Sequence, residues 1–446
     1  MSNIKPNQLS QQAKPFHDGH SNAVEVTDIP LALYIHIPWC VKKCPYCDFN
    51  SHELPVDSQL SMYDEYVDAL LQDAAMQQIL TQGREISSIF IGGGTPSLLP
   101  IAQYQRLFDG LRKYYQFSSD IEITMEANPG TLEHAPFAEY LEVGINRLSI
   151  GVQSFSAEQL TTLGRIHNPT QALSAIKAAR EAGFERVNVD LMHGLPEQTM
   201  SEALDDIQMA HDAGATHISW YQLTIEPNTV FYRSQPILPN EDRLADIEES
   251  GQILLQNLGY CNYEVSAWSG AGDKPCQHNV NYWQFGDYLA IGAGAHGKVT
   301  IGQDIIGQDI IGQDIGNEMA TDFWTIDNET NQAGIYRFSK SRMPKSYMEY
   351  EEAHVQEGAS ISAPKMVGWQ AIDEEELVSE FMLNALRLHG GVAWSLFEAR
   401  TGLSYDSIAI QVATLIEQGL LIDHPEQLQP TELGKRYLNQ ILRAFL

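Results

Sequence analysis

The run LALYIHIPWCVKKCPYCDF, residues 31–49, decides the fold. Its first seven residues are apolar, aromatic or β-branched and predict a buried strand. Directly after them, Cys40, Cys44 and Cys47 crowd into eight positions at CxxxCxxC spacing. Three thiolates so spaced on one loop converge on one face of a cubane iron–sulfur cluster, for which sulfur is the fitting ligand. Three cysteines leave one of the four irons without a protein ligand. Zinc is the alternative, with His36 or His52 as its fourth ligand.

Outward from this run, short apolar stretches recur at 87–93, 121–127, 147–153, 186–192 and 217–223. Between them, segments such as 63–80 and 169–183 carry apolar residues at helical spacing. Strands alternating with helices build a parallel sheet through right-handed crossovers. Six repeats predict an α/β chain folded as a partial (β/α)6 barrel. Reactive groups of such barrels sit at the carboxyl ends of the strands. GGGTP (92–96) follows strand two, Glu126 and Asn128 close strand three, Gln153 closes strand four, and Asp190 lies late in strand five. The glycines of GGGTP admit a ligand close to the backbone or serve a plain tight turn.

The chain has 446 residues, with 58 acidic against 27 basic and a formal charge of -31. That field opposes phosphate backbones and anionic lipid, so nucleic acid is not an expected partner. No apolar run spans a bilayer or marks a signal peptide, so a cytoplasmic location is expected. Five cysteines are far too few for a disulfide scaffold and point to metal in a reducing compartment. Residues 1–28 read as a flexible polar tail in which His17 and His20 are solvated. Residues 29–270 form the barrel core, 271–365 a barrel extension, and 366–446 a smaller winged-helix-like module. Within the extension, IGQDI occurs three times at 301–315, a surface insertion whose Asp304, Asp309 and Asp314 need bind nothing. The acidic run Asp373 to Glu376 fits the first turn of a helix. Cys261 reads as an inert buried thiol.

An ordered set of stretches then resembles one family: YIHIPWCVKKCPYCDFNS, FIGGGTPS, MEANPG, LSIGVQSF, LGRIH, NVDLMHGLPEQT, CQHNVNYW and IGAGAHGK. Together they resemble the HemN/HemW group of radical S-adenosylmethionine (SAM) proteins, from about Leu31 to the carboxyl end. The resemblance implies a [4Fe-4S] cluster on Cys40, Cys44 and Cys47 whose open iron takes SAM. It also implies an electron donor that drives cleavage of SAM to a 5'-deoxyadenosyl radical. By the same resemblance Tyr34 lies near SAM, Gly93, Gly94 and Thr95 surround its methionine part, and Glu126 accepts from the ribose hydroxyls. Gln153 and Arg165 bind polar groups of SAM, and Asp190 completes the nucleoside site. The polar members have structural alternatives: Arg165 pairs with a helix carboxylate, and Glu126, Gln153 and Asp190 are polar groups internal to the barrel.

The oxidases of the group, which decarboxylate coproporphyrinogen III without oxygen, carry a further cysteine two positions after the third ligand. Phe49 stands there in this chain. This pattern and the HNxxYW stretch at His278 resemble the haem-carrier branch, which implies haem as ligand and haemoproteins as acceptors. A homodimer is left open. His278 is the first choice as haem ligand, with Cys276 and His296 of GAGAHG behind it, whereas a hydrogen-bonded core role is the alternative for His278. An oxidase and a radical SAM methyltransferase remain the competing functions.

Overall fold

A computed structural model of the chain describes residues 24–55, 60–131, 135–302, 333–349 and 366–446. The tail with His17 and His20 and nearly all of the IGQDI repeat lie outside them. Six parallel strands follow one another around a partial barrel: β1 (Leu31–Ile37), β2 (Ile86–Gly93), β3 (Phe117–Ala127), β4 (Arg147–Gln153), β5 (Arg186–His193) and β6 (His217–Gln222). Side chains alternate across each strand. Leu33, Ile35, Ile89, Ile91, Ile123, Leu148, Ile150, Val187 and Val189 belong to the large core shared with the surrounding helices. Principal helices of that layer are α1 (Leu60–Gln77), α2 (Ile101–Tyr114), α3 (Pro169–Glu181), α4 (Met200–Asp212) and α5 (Glu241–Asn257).

Local chemistry starts these helices where they are needed. Asn168 and Gln171 form a reciprocal capping box at α3, and Thr199 and Glu202 form another at α4. Each cap contributes about 1 kcal/mol by satisfying N–H groups that the helix leaves unpaired.

The sheet continues beyond the six strands. After helix α6 (Gln277–Trp283) the chain forms β7 (Asp287–Ile291), which pairs parallel to β1 on the side opposite β2. Then β8 (His296–Ile301), β9 (Gly334–Lys340) and β10 (Met366–Ala371) add antiparallel strands. At the far edge, Ala267–Ser269 pairs antiparallel with β6. Two buried ionic clusters fasten the extension. Asp287 binds Arg84 at 2.8 Å and Lys298 at 3.0 Å and accepts from Thr300. Asp73 of α1 binds Lys340 at 2.6 Å and the Tyr347 hydroxyl at 2.7 Å. Charges this deep persist only when paired and hydrogen-bonded.

The carboxyl-terminal part has its own core around Phe381, Phe397, Val412, Leu415 and Leu420. Helices α7 (Glu374–Ala385), α8 (Trp394–Thr401) and α9 (Ala409–Glu417) with a ribbon of Val392–Ala393 and Gln427–Leu428 make up the winged-helix-like module. Asp373 caps α7 by accepting from the Glu376 N–H at 2.9 Å, so the acidic run does sit at a helix start. Cys261 departs from expectation: it is exposed, because it falls on the short outermost strand Cys261–Asn262. No helix among the described residues is long and apolar enough to cross a membrane.

Candidate functional site

The cysteine loop leaves β1 and is held from two sides. Gly94 N–H donates to the Ile37 carbonyl and Thr95 N–H to the Trp39 carbonyl, both at 2.7 Å, so the GGGTP loop lies directly against the entry to the cysteines. A Cβ on Gly94 would stand 2.5 Å from the Trp39 carbonyl oxygen, which is why glycine is required. From the other side Asn50 Nδ2 donates to the carbonyls of Ala293 and Arg342 at 3.0 and 2.8 Å.

Each sulfur has a hydrogen-bonding neighbour. Thr95 Oγ1 donates to Cys40 Sγ at 3.6 Å, Arg165 Nη1 donates to Cys44 Sγ at 3.7 Å, and Cys47 Sγ lies 3.7 Å from Ser51 Oγ. Donors aimed at sulfur favour the thiolate, the form that ligates iron. The histidines weighed for zinc are engaged elsewhere. His36 Nε2 donates to the Asn50 carbonyl at 2.9 Å and its Nδ1 accepts from the Tyr34 hydroxyl at 2.9 Å, while His52 Nε2 bonds the Arg342 carbonyl. Burial lowers the His36 imidazole to about 4, so it is neutral and its tautomer is set by these two bonds. Among the described residues no three His, Cys, Asp or Glu side chains close around a single-ion position. The donor set fits a cluster, with its wider span, better than zinc.

The expected SAM residues converge beside this loop. Arg165 Nη2 donates to Asn128 Oδ1 and to the Gly151 carbonyl, both at 2.6 Å, and Asn128 Nδ2 donates to Thr95 Oγ1 at 3.0 Å. One chain of bonds therefore runs Cys40, Thr95, Asn128, Arg165, Cys44. Among the described residues no carboxylate pairs with Arg165, and its buried Nε has no partner. A narrow cavity lined by Cys44, Thr95, Asn128 and Arg165 opens here. Glu126 Oε2 accepts from the Gly93 N–H at 3.1 Å, and burial with the nearby Asp190 raises its carboxyl to about 8. Asp190 itself accepts from Ser149 Oγ and Asn188 Nδ2. Gln153 ends β4 with φ at +72°, a strained value for this residue, and its Oε1 accepts from the Tyr221 hydroxyl at 2.8 Å. Asn128 and Tyr221 are the members that sequence reasoning did not assign. Asn128 lies in the quoted MEANPG stretch, whereas nothing in the sequence signals Tyr221.

The haem candidates separate. Cys276 is 3% exposed and its thiol donates to Glu122 inside the barrel. His278 is 5% exposed, its ring 5.0 Å from that of Phe90, 5.2 Å from that of Tyr282 and 6.3 Å from that of Tyr34. Burial holds its imidazole neutral, down to about 3, and its Nδ1 has no hydrogen-bond partner among the described residues. His278 is thus a packed internal side chain, because α6 turns HNxxYW inward against β1 and β2. Trp283 at the other end of α6 lies under the Arg387 guanidinium at 4.3 Å. His296 alone of the three is exposed. The glycines around it serve a tight crossing: a Cβ on Gly292, where φ is +108°, would stand 2.4 Å from the His36 carbonyl oxygen.

Comparison with known proteins agrees with this geometry. The Radical SAM superfamily model matches residues 34–210 and the HemN C-terminal domain model matches 372–437. The chain is 45% identical over 417 residues to the heme chaperone HemW of Escherichia coli, covering 94% of this chain and 98% of that one. It is 44% identical over 425 residues to HemW of Haemophilus influenzae, again covering 94% and 98%. Among solved structures, the radical SAM enzyme coproporphyrinogen III oxidase (HemN) of Escherichia coli superposes with a TM-score of 0.71 at 23% identity, over 95% of this chain and 91% of that one. That likeness establishes the shared fold.

Proposed function

The chain belongs to the HemW family of radical SAM proteins, and from that premise we propose that it is a haem chaperone, binding haem and delivering it to acceptor haemoproteins. The observation that carries the reading is near-full-length relatedness at 45% identity to a protein named as a heme chaperone. Phe49, 62% exposed on the cysteine loop where the oxidases have another cysteine, supports the carrier over the oxidase.

In this reading Cys40, Cys44 and Cys47 hold a [4Fe-4S] cluster, which supplies an open coordination position and one electron from an external donor. Thr95, Arg165 and Ser51 stabilise the thiolates by hydrogen bonds. Gly93, Gly94 and Thr95 surround the methionine end of SAM, Tyr34 and Gln153 line the site, and Glu126 and Asp190 hold hydroxyl groups. Arg165, tied to Asn128 and Gly151, is preorganised to receive a carboxylate without losing side-chain freedom on binding. The acidic surface and cysteine usage support a cytoplasmic protein that handles no nucleic acid, and a homodimer is compatible with it.

The test is anaerobic reconstitution, haem titration and transfer of bound haem to an apo-haemoprotein, with coproporphyrinogen III offered in parallel. The expected result is one cluster per chain, haem binding and transfer, and no protoporphyrinogen IX. Catalytic formation of protoporphyrinogen IX would restore the oxidase, and methyl transfer from labelled SAM would favour a methyltransferase.

A further inference from the structure

The barrel interior beneath Asp190 is polar, where packing alone would call for apolar side chains. Residues two apart on a strand share a face, so Asn188 and Asp190 of β5 lie on one side, as do His217 and Ser219 of β6. The strand register sets Asn188 beside Ser149 of β4 and beside His217. His217 is 1% exposed and Asn188 4%.

Each donor in this column has one possible direction. An ionised Asp190 can only accept, so Asn188 turns its Nδ2 toward it at 2.8 Å and toward Ser149 Oγ at 2.8 Å. Ser149 Oγ donates to the other Asp190 oxygen at 3.0 Å. Asn188 Oδ1 then faces His217 Nδ1 at 2.7 Å, which must carry the ring proton, and accepts from Ser219 Oγ at 3.1 Å. His217 Nε2, left with a lone pair, accepts from the Tyr263 hydroxyl at 3.1 Å, and that oxygen accepts the Cys276 N–H at 3.3 Å. Burial first, then Arg147 and Arg186, hold this imidazole neutral. Donation therefore runs one way, from the residue that precedes α6 to Asp190.

The two carboxylates of the nucleoside site are supplied unequally. Burial raises Asp190, but Asn188, Ser149 and Ser219 donate to it and Arg165 faces it, all of which favour the ionised form. Glu126 has the Gly93 N–H as its donor, and burial and Asp190 raise it to about 8. Tyr221 beside them stays protonated through burial. We propose that His217 is a positioning residue for SAM: through Asn188 it keeps Asp190 an ionised acceptor for the nucleoside and leaves the proton of the site on Glu126. The proposal rests on reading Glu126 and Asp190 as part of the SAM site. Without the His217 N–H, Asn188 can turn its oxygen toward Asp190, which then takes up a proton that SAM must displace.

The test measures SAM affinity of the reconstituted full chain by calorimetry across the Glu126 titration, near pH 8. Affinity of the unaltered protein should rise with pH and level off above that titration. His217→Ala should bind SAM about tenfold more weakly at neutral pH, the equivalent of one pKa unit. That loss should shrink as pH rises, because the extra proton is then already gone. His217→Asn, which sets an amide N–H where the Nδ1–H stood, should regain most of the affinity. Tyr263→Phe removes the hydroxyl that fixes the tautomer and should show the same pH-dependent loss, several-fold at neutral pH. It carries the test if His217→Ala fails to take up cluster iron. A loss equal at every pH, or no loss, would overturn the proposal, as would a pH-independent affinity of the unaltered protein. Failure of the unaltered protein to bind SAM with its cluster in place would instead remove the reading of the SAM site.

Discussion

His278 lies nearly flat on Phe90, with ring centroids 5.0 Å apart and 29° between the planes. Phe90 is on β2 and His278 on α6, so this stack is where the HNxxYW helix meets the barrel's inner wall. The next ring outward is Tyr34, whose hydroxyl bonds His36 and through it the cysteine loop.

His278→Ala should therefore act on stability and on the SAM side of the molecule. Loss of a packed ring inside the barrel is expected to destabilise the chain by about 1–3 kcal/mol, while His278→Phe keeps the stack and most of the stability. Urea unfolding of the two variants checks this. Equal destabilisation by both would mean that a polar contact of the imidazole matters more than its packing.

Replacing any one of Cys40, Cys44 or Cys47 with Ala should abolish the cluster, since the other two cysteines, Cys261 and Cys276, lie on the outermost edge and inside the barrel, with no place in this loop. Iron and sulfide analysis after anaerobic reconstitution reads the result. Full iron content in a variant lacking all three would end the assignment.

SAM binding should be proton-linked through Glu126. Its carboxyl is raised from 4.5 to about 8 by burial first and by Asp190 second, so at neutral pH the unliganded protein holds a proton there. Ribose hydroxyls donating to the carboxylate favour its ionised form and lower its pKa, so binding should expel that proton at pH values just below about 8. Calorimetry in buffers of different ionisation heat measures the release. Glu126→Gln should bind SAM more weakly and release none.

Asp73→Ala should cost about 3–5 kcal/mol, because it strands the fully buried Lys340 ammonium as an unpaired charge. Joint replacement of Asp73 and Lys340 by apolar residues of similar size should recover much of the loss. Thermal unfolding of the single and double variants separates a needed ion pair from a needed neutral fit.

Much of this was legible in the sequence where pattern and position coincide. Strands β1 and β4 fall on the predicted bounds, and the cysteines, GGGTP, Glu126, Gln153 and Asp190 all come to the carboxyl ends of their strands. β3 starts earlier, at Phe117, because the three polar residues Ser118, Ser119 and Asp120 read as loop. The extension was harder. Asp287, Lys298 and Lys340 interrupt its strands with charges that look solvent-facing, yet each is buried against a partner distant in sequence. HNxxYW was ambiguous for a related reason: an imidazole among aromatics suits a porphyrin and a hydrophobic core equally, and only the direction of α6 shows that His278 packs against Phe90.

The two bonds from Asn50 Nδ2 to the carbonyls of Ala293 and Arg342 give the cysteine loop and the sheet extension a common mechanical anchor. A cysteine loop tied in this way to the sheet extension cannot shift without the backbone before β8 and after β9 shifting with it.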